Sequence, residues 1–347
     1  MPIKTQLKKI ALAFLDHQSD LVATKHNADD YFDLLTTQLQ LDGHGLSNRE
    51  SVLTQSGRAI SPFEAAHCIK EFTRTKQFIA GLNAAIIDLQ KKFPGETIRI
   101  LYAGPGPFAA LVLPLTALYT CQEIQLTLME VNPTSMDFLR ETFTHFNLLD
   151  YVDDFILADA SQYKLKQKGI HHLLLTETMQ NALKNEPQVS IALNLMPQMH
   201  PSALMVPECI SINLVLMDIR KNFNRKLGHP IDQYYDFLGC VLDFNIEKIS
   251  ALDSALIPFS RKKEFSCNNI FIPAYLPDKV LNLLTEIQIY QSYRLSLDEC
   301  SLNLPICIRE NPLLANRAHF LSFKYIIADL PGFEWKEDLI NAETLNY

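Results

Sequence analysis

TIRILYAGPGP (97–107) and IQLTLMEVNP (124–133) are the two stretches on which the reading of this chain turns. The first is a β-prone run that stops at two glycines set among prolines. The second is an apolar run that stops at Glu130, with Pro133 just beyond. Each reads as a strand that ends in a ligand-binding type of residue. Working outward, FILAD (155–159) and HHLLLTE (171–177) supply two more strands of this kind, and ALMVP (203–207) leads into a fifth. Helix-like spacing fills the intervals 108–119, 133–146 and 190–199. This alternation predicts a doubly wound, Rossmann-like α/β sheet with its ligand at the carboxyl ends of the strands.

On either side the pattern changes. Residues 1–95 read as helical, with one glycine-rich break, DGHG (42–45). The clearest helix is 61–93: Ser61 caps it, Pro62 takes the first helical position, Glu64 completes a capping box, and Pro94-Gly95 ends it. After Pro207 the helical signal fades. CISINLVL (209–216), VLDFNI (241–246), NIFIP (269–273), LLTEIQIY (283–290) and FLSFKYII (320–327) predict a β-rich, barrel-like region. The polar stretch 219–239 reads as an excursion from it, a lid or a partner arm. The expected division is a helical region 1–95, of which 61–93 contributes to the ligand site, a sheet domain 96–207, and a β-rich domain 208–347.

Composition narrows the function. The chain has 347 residues, 48% hydrophobic and 20% charged, with a net charge of −8, ordinary globular values. The acidic balance argues against a nucleic-acid partner and favours a cationic one. No apolar run reaches membrane-spanning length and no signal-peptide core follows the start, so a soluble, cytoplasmic protein is expected. The seven cysteines are scattered without a CxxC pair, which predicts free thiols and no metal site. His171-His172 is the only adjacent histidine pair, and neighbours on a strand point to opposite faces.

The candidate site residues lie at the strand ends. Gly104 and Gly106, with Tyr102 before them, form a turn whose amides and following helix can approach a ligand closely. Glu130 is placed to bind ribose hydroxyls and Asp159 to accept from an adenine amine. Together they predict a nucleoside-type cofactor, of the nicotinamide or another class. Two glutamates, Glu177 and Glu186, bracket LLLTETMQNALKNE (173–186). On one straight helix their nine-residue offset is about 900°, which sets them on opposite faces. To act together they need the segment between them to fold back as a loop. Two converging carboxylates would then suit a planar cation with a fork of donors, such as a guanidinium.

These motifs resemble the class I S-adenosylmethionine (SAM) methyltransferases, and among them the protein arginine methyltransferases, over about residues 61–216. EFTRT (71–75) is similar to the helix whose arginine, here Arg74, holds the SAM carboxylate. AGPGP (103–107) resembles the SAM turn, MEVNP (129–133) and LADA (157–160) the ribose and adenine acids, and TETMQNALKNE (176–186) the double-glutamate loop. SALMVPECISI (202–212) resembles the passage into the family's barrel, and Tyr31-Phe32 its N-terminal helix. The resemblance implies a SAM cofactor, catalytic Glu177 and Glu186, a guanidino acceptor and a homodimer. There are departures. Tyr102 stands where the turn opens on glycine, and the acid that ends the family's first strand is missing. The threonine-histidine-tryptophan loop has no counterpart, the only tryptophan being Trp335. The missing tryptophan loop and the short β-rich region tilt the expected acceptor slightly toward free arginine or a small guanidine rather than protein arginine. A methyltransferase for another nitrogen or oxygen acceptor, and a non-catalytic SAM-binding partner protein, are the alternatives.

Overall fold

Five parallel strands carry the site. A computed structural model describes residues 3–41, 45–218, 235–253, 264–274, 279–309 and 318–339. The chain opens with helices α1 (Ile3–Leu15) and α2 (Leu21–Leu39). Asp20 caps α2 by accepting from the Ala23 amide at 2.7 Å. Ala28, Tyr31, Phe32, Leu35 and Leu39 form its buried stripe. A short antiparallel hairpin follows, β1 (Val52–Thr54) and β2 (Gly57–Ala59).

The expected helix 61–93 is two helices. The capping box forms, Ser61 Oγ accepting from the Glu64 amide and Glu64 Oε2 from the Ser61 amide at 3.0 Å. However, α3 (Pro62–His67) gives way to a 3₁₀ turn at 68–70, and α4 (Phe72–Lys92) starts only after Glu71, whose ψ of 72° is not helical. Thr75 Oγ1 bonds back to the Ile69 carbonyl at 3.0 Å and stabilises the break. The consequence is functional: Arg74 falls in the first turn of a new helix, where its side chain can leave toward the sheet.

The sheet itself contains β3 (Ile98–Ala103), β4 (Ile124–Glu130), β5 (Val152–Leu157), β6 (Leu173–Thr176) and β7 (Leu204–Val206), in the order β5-β4-β3-β6-β7, all parallel. Strand order reverses between β3 and β6, the place where such sheets leave a crevice. Leu173, Leu174 and Leu175 are fully buried, and each contributes about 1.5–3 kcal/mol by burial. Helices α5 (Pro133–His145), capped by Asn132, and α6 (Gln188–Leu195) cover the sheet. The helix expected at 108–119 is absent. Ala109 takes a left-handed φ of 47°, which breaks helical continuation, and only a 3₁₀ turn, Leu113–Ala117, follows.

Beyond Pro207 the chain is β-rich, with strands β8 (Cys209–Asp218), β9 (Tyr235–Asn245), β10 (Glu264–Ile272), β11 (Lys279–Tyr290), β12 (Tyr293–Leu295), β13 (Ile306–Arg309), β14 (His319–Ile326) and β15 (Gly332–Leu339). They form one sheet ordered β12-β11-β8-β9, with β13 on β11, and a second ordered β10-β14-β15, all antiparallel. Among the described residues these two sheets do not close into a barrel. A helix at 246–253 continues from β9, and β9 itself absorbs 235–239 of the expected excursion. Residues 219–234 of that excursion and 42–44 of the expected glycine break lie outside the described residues. No described helix is long and apolar enough to cross a membrane.

Candidate active site

A cavity of about 480 Å³ opens at the carboxyl ends of β3, β4, β5 and β6, beneath the first turn of α4. Its wall includes all eight residues singled out above: Arg74, Tyr102, Gly104, Gly106, Glu130, Asp159, Glu177 and Glu186. Tyr31, by contrast, is core: it is fully buried and its hydroxyl donates to the Ala110 carbonyl at 3.0 Å.

On one side lies the glycine turn. Gly104 has φ 73° and Gly106 φ 61°, conformations that glycine adopts without steric cost. A Cβ on Gly104 would sit 2.3 Å from Thr178 Cγ2. Because no α-helix follows, the turn offers backbone amides without a helix dipole behind them. Glu130 braces the turn from beneath. Its Oε2 accepts from the Gly106 amide at 3.1 Å, and Oε1 from the Val131 and Asn132 amides at 2.8 Å each. Burial pushes the Glu130 carboxyl up, and these amides oppose it. Three backbone bonds leave Oε2 with the one open lone pair. Half-buried Asp159 accepts on Oδ1 from the Ser161 amide and hydroxyl at 2.9 and 2.7 Å. Its Oδ2 is the remaining acceptor. This donor and acceptor set, beside a cradle that a Cβ would fill, fits a nucleoside. Tyr102 is 3% exposed; burial and then the Glu177 charge hold its phenol well above the usual range, while Arg74 opposes.

On the other side, the chain after β6 does fold back. Gln188 is fully buried, and its side-chain carbonyl accepts from the Thr178 amide and hydroxyl at 3.0 and 3.1 Å. The Gln188 amide returns a bond to the Thr178 carbonyl at 3.0 Å. This latch closes a loop in which Ala182, Leu183 and Asn185 all have left-handed φ of 51°, 53° and 64°. Non-glycine residues hold such angles only when their surroundings over-determine them. Here the surroundings are the β-rich region. Thr285 Oγ1 accepts from the Ala182 amide at 2.7 Å, the Tyr325 hydroxyl donates to the Leu183 carbonyl at 2.7 Å, and the Asn185 amide donates to the Pro331 carbonyl at 2.8 Å.

The loop brings Glu177 and Glu186 to one cavity wall. Glu177 Oε2 is bonded to Arg74 Nη2, and its Oε1 is buried without a hydrogen-bond partner. Burial raises the Glu177 carboxyl although Arg74 opposes it. Glu186 is 7% exposed; burial, then the Glu177 charge, push it up to about 7 against a hydrogen bond from Gln180. Arg74, 7% exposed, spans from Glu177 to Glu71, whose Oε2 takes Nη1 at 2.7 Å.

Several wall residues escape a reading of the sequence. The β1–β2 hairpin roofs the cavity with Thr54, Arg58 and Ala59. It is tied to the loop by the Arg58 amide and the Asn185 carbonyl at 2.7 Å, and to the nucleoside side by Ser56 Oγ and Ser161 Oγ at 3.1 Å. The turn QSG (55–57) between β-prone residues is the signal that could have found it. Ser301, also on the wall, and Glu71, the partner of Arg74 one residue before its helix, carry no such signal.

No family profile and no curated protein sequence matches the chain. Among solved structures, the Trypanosoma brucei PRMT1 enzyme-prozyme heterotetrameric complex with S-adenosylhomocysteine superposes with a TM-score of 0.51. Identity is 12%, over 80% of this chain and 93% of that one. A crystal structure of PRMT6 gives a TM-score of 0.49 at 11% identity, over 79% of this chain and 99% of that one. The likeness to the matched chain of the trypanosomal complex is one of fold. The chain has the fold of a class I methyltransferase of the arginine methyltransferase type.

Proposed function

We propose that this protein is a SAM-dependent N-methyltransferase that acts on a guanidino group. The observation that carries the reading is the buried pair Glu177 and Glu186. They are brought to one wall by a single latched loop, one oxygen of Glu177 is unpartnered, and the same cavity has a nucleoside-type acceptor set. Two buried carboxylates against one buried arginine leave the wall short of positive charge, and an uncompensated buried charge is costly. A cationic, planar, multiply donating ligand supplies what is missing.

Gly104, Gly106, Glu130 and Asp159 would hold the nucleoside of the cofactor, and the N–H groups of Arg74 not taken by Glu71 and Glu177 would hold its carboxylate. When bound, SAM supplies an activated methyl on a sulfonium. The work of the chain is then orientation in a dry pocket. A guanidinium is a poor nucleophile because its lone pairs are delocalised and its pKa lies above about 12. Glu177 Oε1 and Glu186 grip its N–H groups, aim one nitrogen at the methyl and draw positive charge toward the others. The proton that this nitrogen loses as the thioether leaves passes to Glu186. Glu186 accepts the acceptor best as a carboxylate, so acceptor binding and loss of its proton go together.

The test is mass-spectrometric detection of methyl transfer from SAM to free arginine and to an arginine-glycine-rich peptide, with Glu177→Gln alongside. Methylarginine from either acceptor supports the reading and tells small molecule from protein. The Glu177→Gln variant is expected to lose about 100-fold in kcat, the scale of a lost transition-state contact, while its affinity for S-adenosylhomocysteine changes less than about threefold. Full turnover by that variant would remove Glu177 from the mechanism. Binding of S-adenosylhomocysteine without methylation of either acceptor would point to another nitrogen or oxygen nucleophile.

A further inference from the structure

The Arg74 guanidinium is fixed from two ends. Nη2 is bonded to Glu177 and Nη1 to Glu71 Oε2 at 2.7 Å. Glu71 is fixed in turn by a residue 230 positions away: the Ser301 amide donates to Oε1 at 2.7 Å and the Ser301 hydroxyl to Oε2 at 3.0 Å. Ser301 begins the 3₁₀ turn Ser301–Asn303, and that turn is itself pinned to β11, where Asn303 Nδ2 donates to the Thr285 carbonyl at 2.7 Å. Thr285 is fully buried, and its hydroxyl is the group that holds the Ala182 amide of the glutamate loop. One residue of β11 therefore anchors both ends of a connected path, Thr285–Asn303–Ser301–Glu71–Arg74–Glu177 on one arm and Thr285–Ala182 on the other.

We infer that Ser301 and Glu71 are positioning residues for the methyl-transfer step, acting through Arg74 to set the plane and reach of the Glu177 carboxylate. This rests on the guanidino-methyltransferase reading and deepens it. Arginine has several rotatable bonds, and ordering it costs side-chain entropy. A carboxylate bound to an unrestrained arginine would be dragged with it. With Glu71 clamping the far nitrogen, the guanidinium becomes a rigid strut, and Glu177 Oε2 is held while Oε1 stays available for the acceptor. Displacements near 1 Å at a reacting centre can cost about 100-fold in rate. Glu71 suits this task because its two oxygens already accept from Ser301, so it cannot follow Arg74. Ser301 and Leu302, on the same turn, also line the cavity.

The experiment compares the full-length wild type with Glu71→Gln, Ser301→Ala, Ser301→Thr and the double variant Glu71→Gln/Ser301→Ala. For each, kcat and KM are measured with whichever guanidine the wild type methylates. Affinities for S-adenosylhomocysteine and for free arginine in its presence are measured by calorimetry. Glu71→Gln is expected to lower kcat about 20-fold or more and Ser301→Ala about three- to tenfold. Affinity for S-adenosylhomocysteine stays within threefold, and Ser301→Thr, which keeps the hydroxyl, restores the rate. Because Ser301 acts through Glu71, the double variant is expected to be no slower than Glu71→Gln alone, within twofold. Losses that multiply in the double variant, or a Ser301→Ala variant at full rate, would overturn the relay while the wild type still turns over. A wild type that neither binds nor methylates a guanidine overturns the underlying reading instead, and the relay with it. If Glu71→Gln does not fold, the Ser301→Ala and Ser301→Thr pair decides the matter alone.

Discussion

Replacing Gly104 with alanine strains the site in two measurable ways. The residue has φ 73°, and a Cβ in the left-handed region costs about 1–2 kcal/mol. The new methyl would also lie 2.3 Å from Thr178 Cγ2. Thr178 has little freedom to retreat, because its amide and hydroxyl are both held by Gln188 at 3.0 and 3.1 Å. Overpacking of this kind costs about 1–3 kcal/mol, so Gly104→Ala should destabilise the protein by about 2–5 kcal/mol in urea unfolding. Since Thr178 directly follows Glu177, methyl transfer should fall further than stability alone explains. The decisive control is Thr178→Ser added to Gly104→Ala. Serine keeps the hydroxyl bond to Gln188 and removes Cγ2, so it should recover the overpacking part and leave the backbone part. A Gly104→Ala protein within about 0.5 kcal/mol of wild type, the usual range for a neutral substitution, would refute the reasoning, as would a double variant that recovers nothing.

Two further outcomes follow from the carboxylates and the hairpin. Glu186 has its carboxyl pushed up to about 7, so below that pH the free protein holds a proton there and kcat/KM for a cationic acceptor should fall about tenfold per pH unit. The limb near 7 should vanish in Glu186→Gln, and its persistence would reassign it. The stability sign is opposite. The folded state binds this proton more tightly than the unfolded chain, so the stabilisation is fully present below the ordinary carboxylate range and is lost as pH rises through about 7. In Gly57→Ala, the added Cβ would stand 2.6 Å from the Pro187 nitrogen and 2.7 Å from the Glu186 carbonyl carbon. The hairpin must lift, Glu186 becomes hydrated, and the acid limb of the pH profile should move toward the ordinary carboxylate range. An unmoved limb would show that the hairpin does not set that acidity.

What could be read in the sequence was governed by local chemistry. The ends of β3, β4 and β6 are marked by burial-prone runs stopping at Gly104, Glu130 and Glu177, and these positions need no tertiary information. The same holds for the Ser61–Glu64 cap, whereas helix geometry requires the fold-back between Glu177 and Glu186 only if the two act together. The misread segments were decided by distant partners. Residues 61–93 look like one helix because Glu71 is a good helix former, yet Glu71 is bonded to Ser301, and the chain breaks there. Residues 108–119 have helical periodicity, but Ala109 turns left-handed as the chain leaves the glycine turn. Strands β1 and β2 have three residues each, too few for any periodicity to register. Alternation along single strands says nothing about which edges meet, and among the described residues the two antiparallel sheets do not close into a barrel.

The glutamate loop also says something about the order in which this protein comes to exist. Its turns are held by partners at 285, 304 and 325, sequence separations of 103, 123 and 142 residues from Ala182, Asn181 and Leu183. The nucleoside side is built from residues 104–161, within one compact stretch. Contacts of such unequal range form at unequal times, since long closures carry the larger entropic barrier. The wall formed by residues 104–161 therefore depends on local contacts, whereas the glutamate loop depends on partners at 285 and beyond. A chain stopped short of Thr285 would keep the glycine turn, Glu130 and Asp159 but lose the partners of Ala182, Asn181 and Leu183.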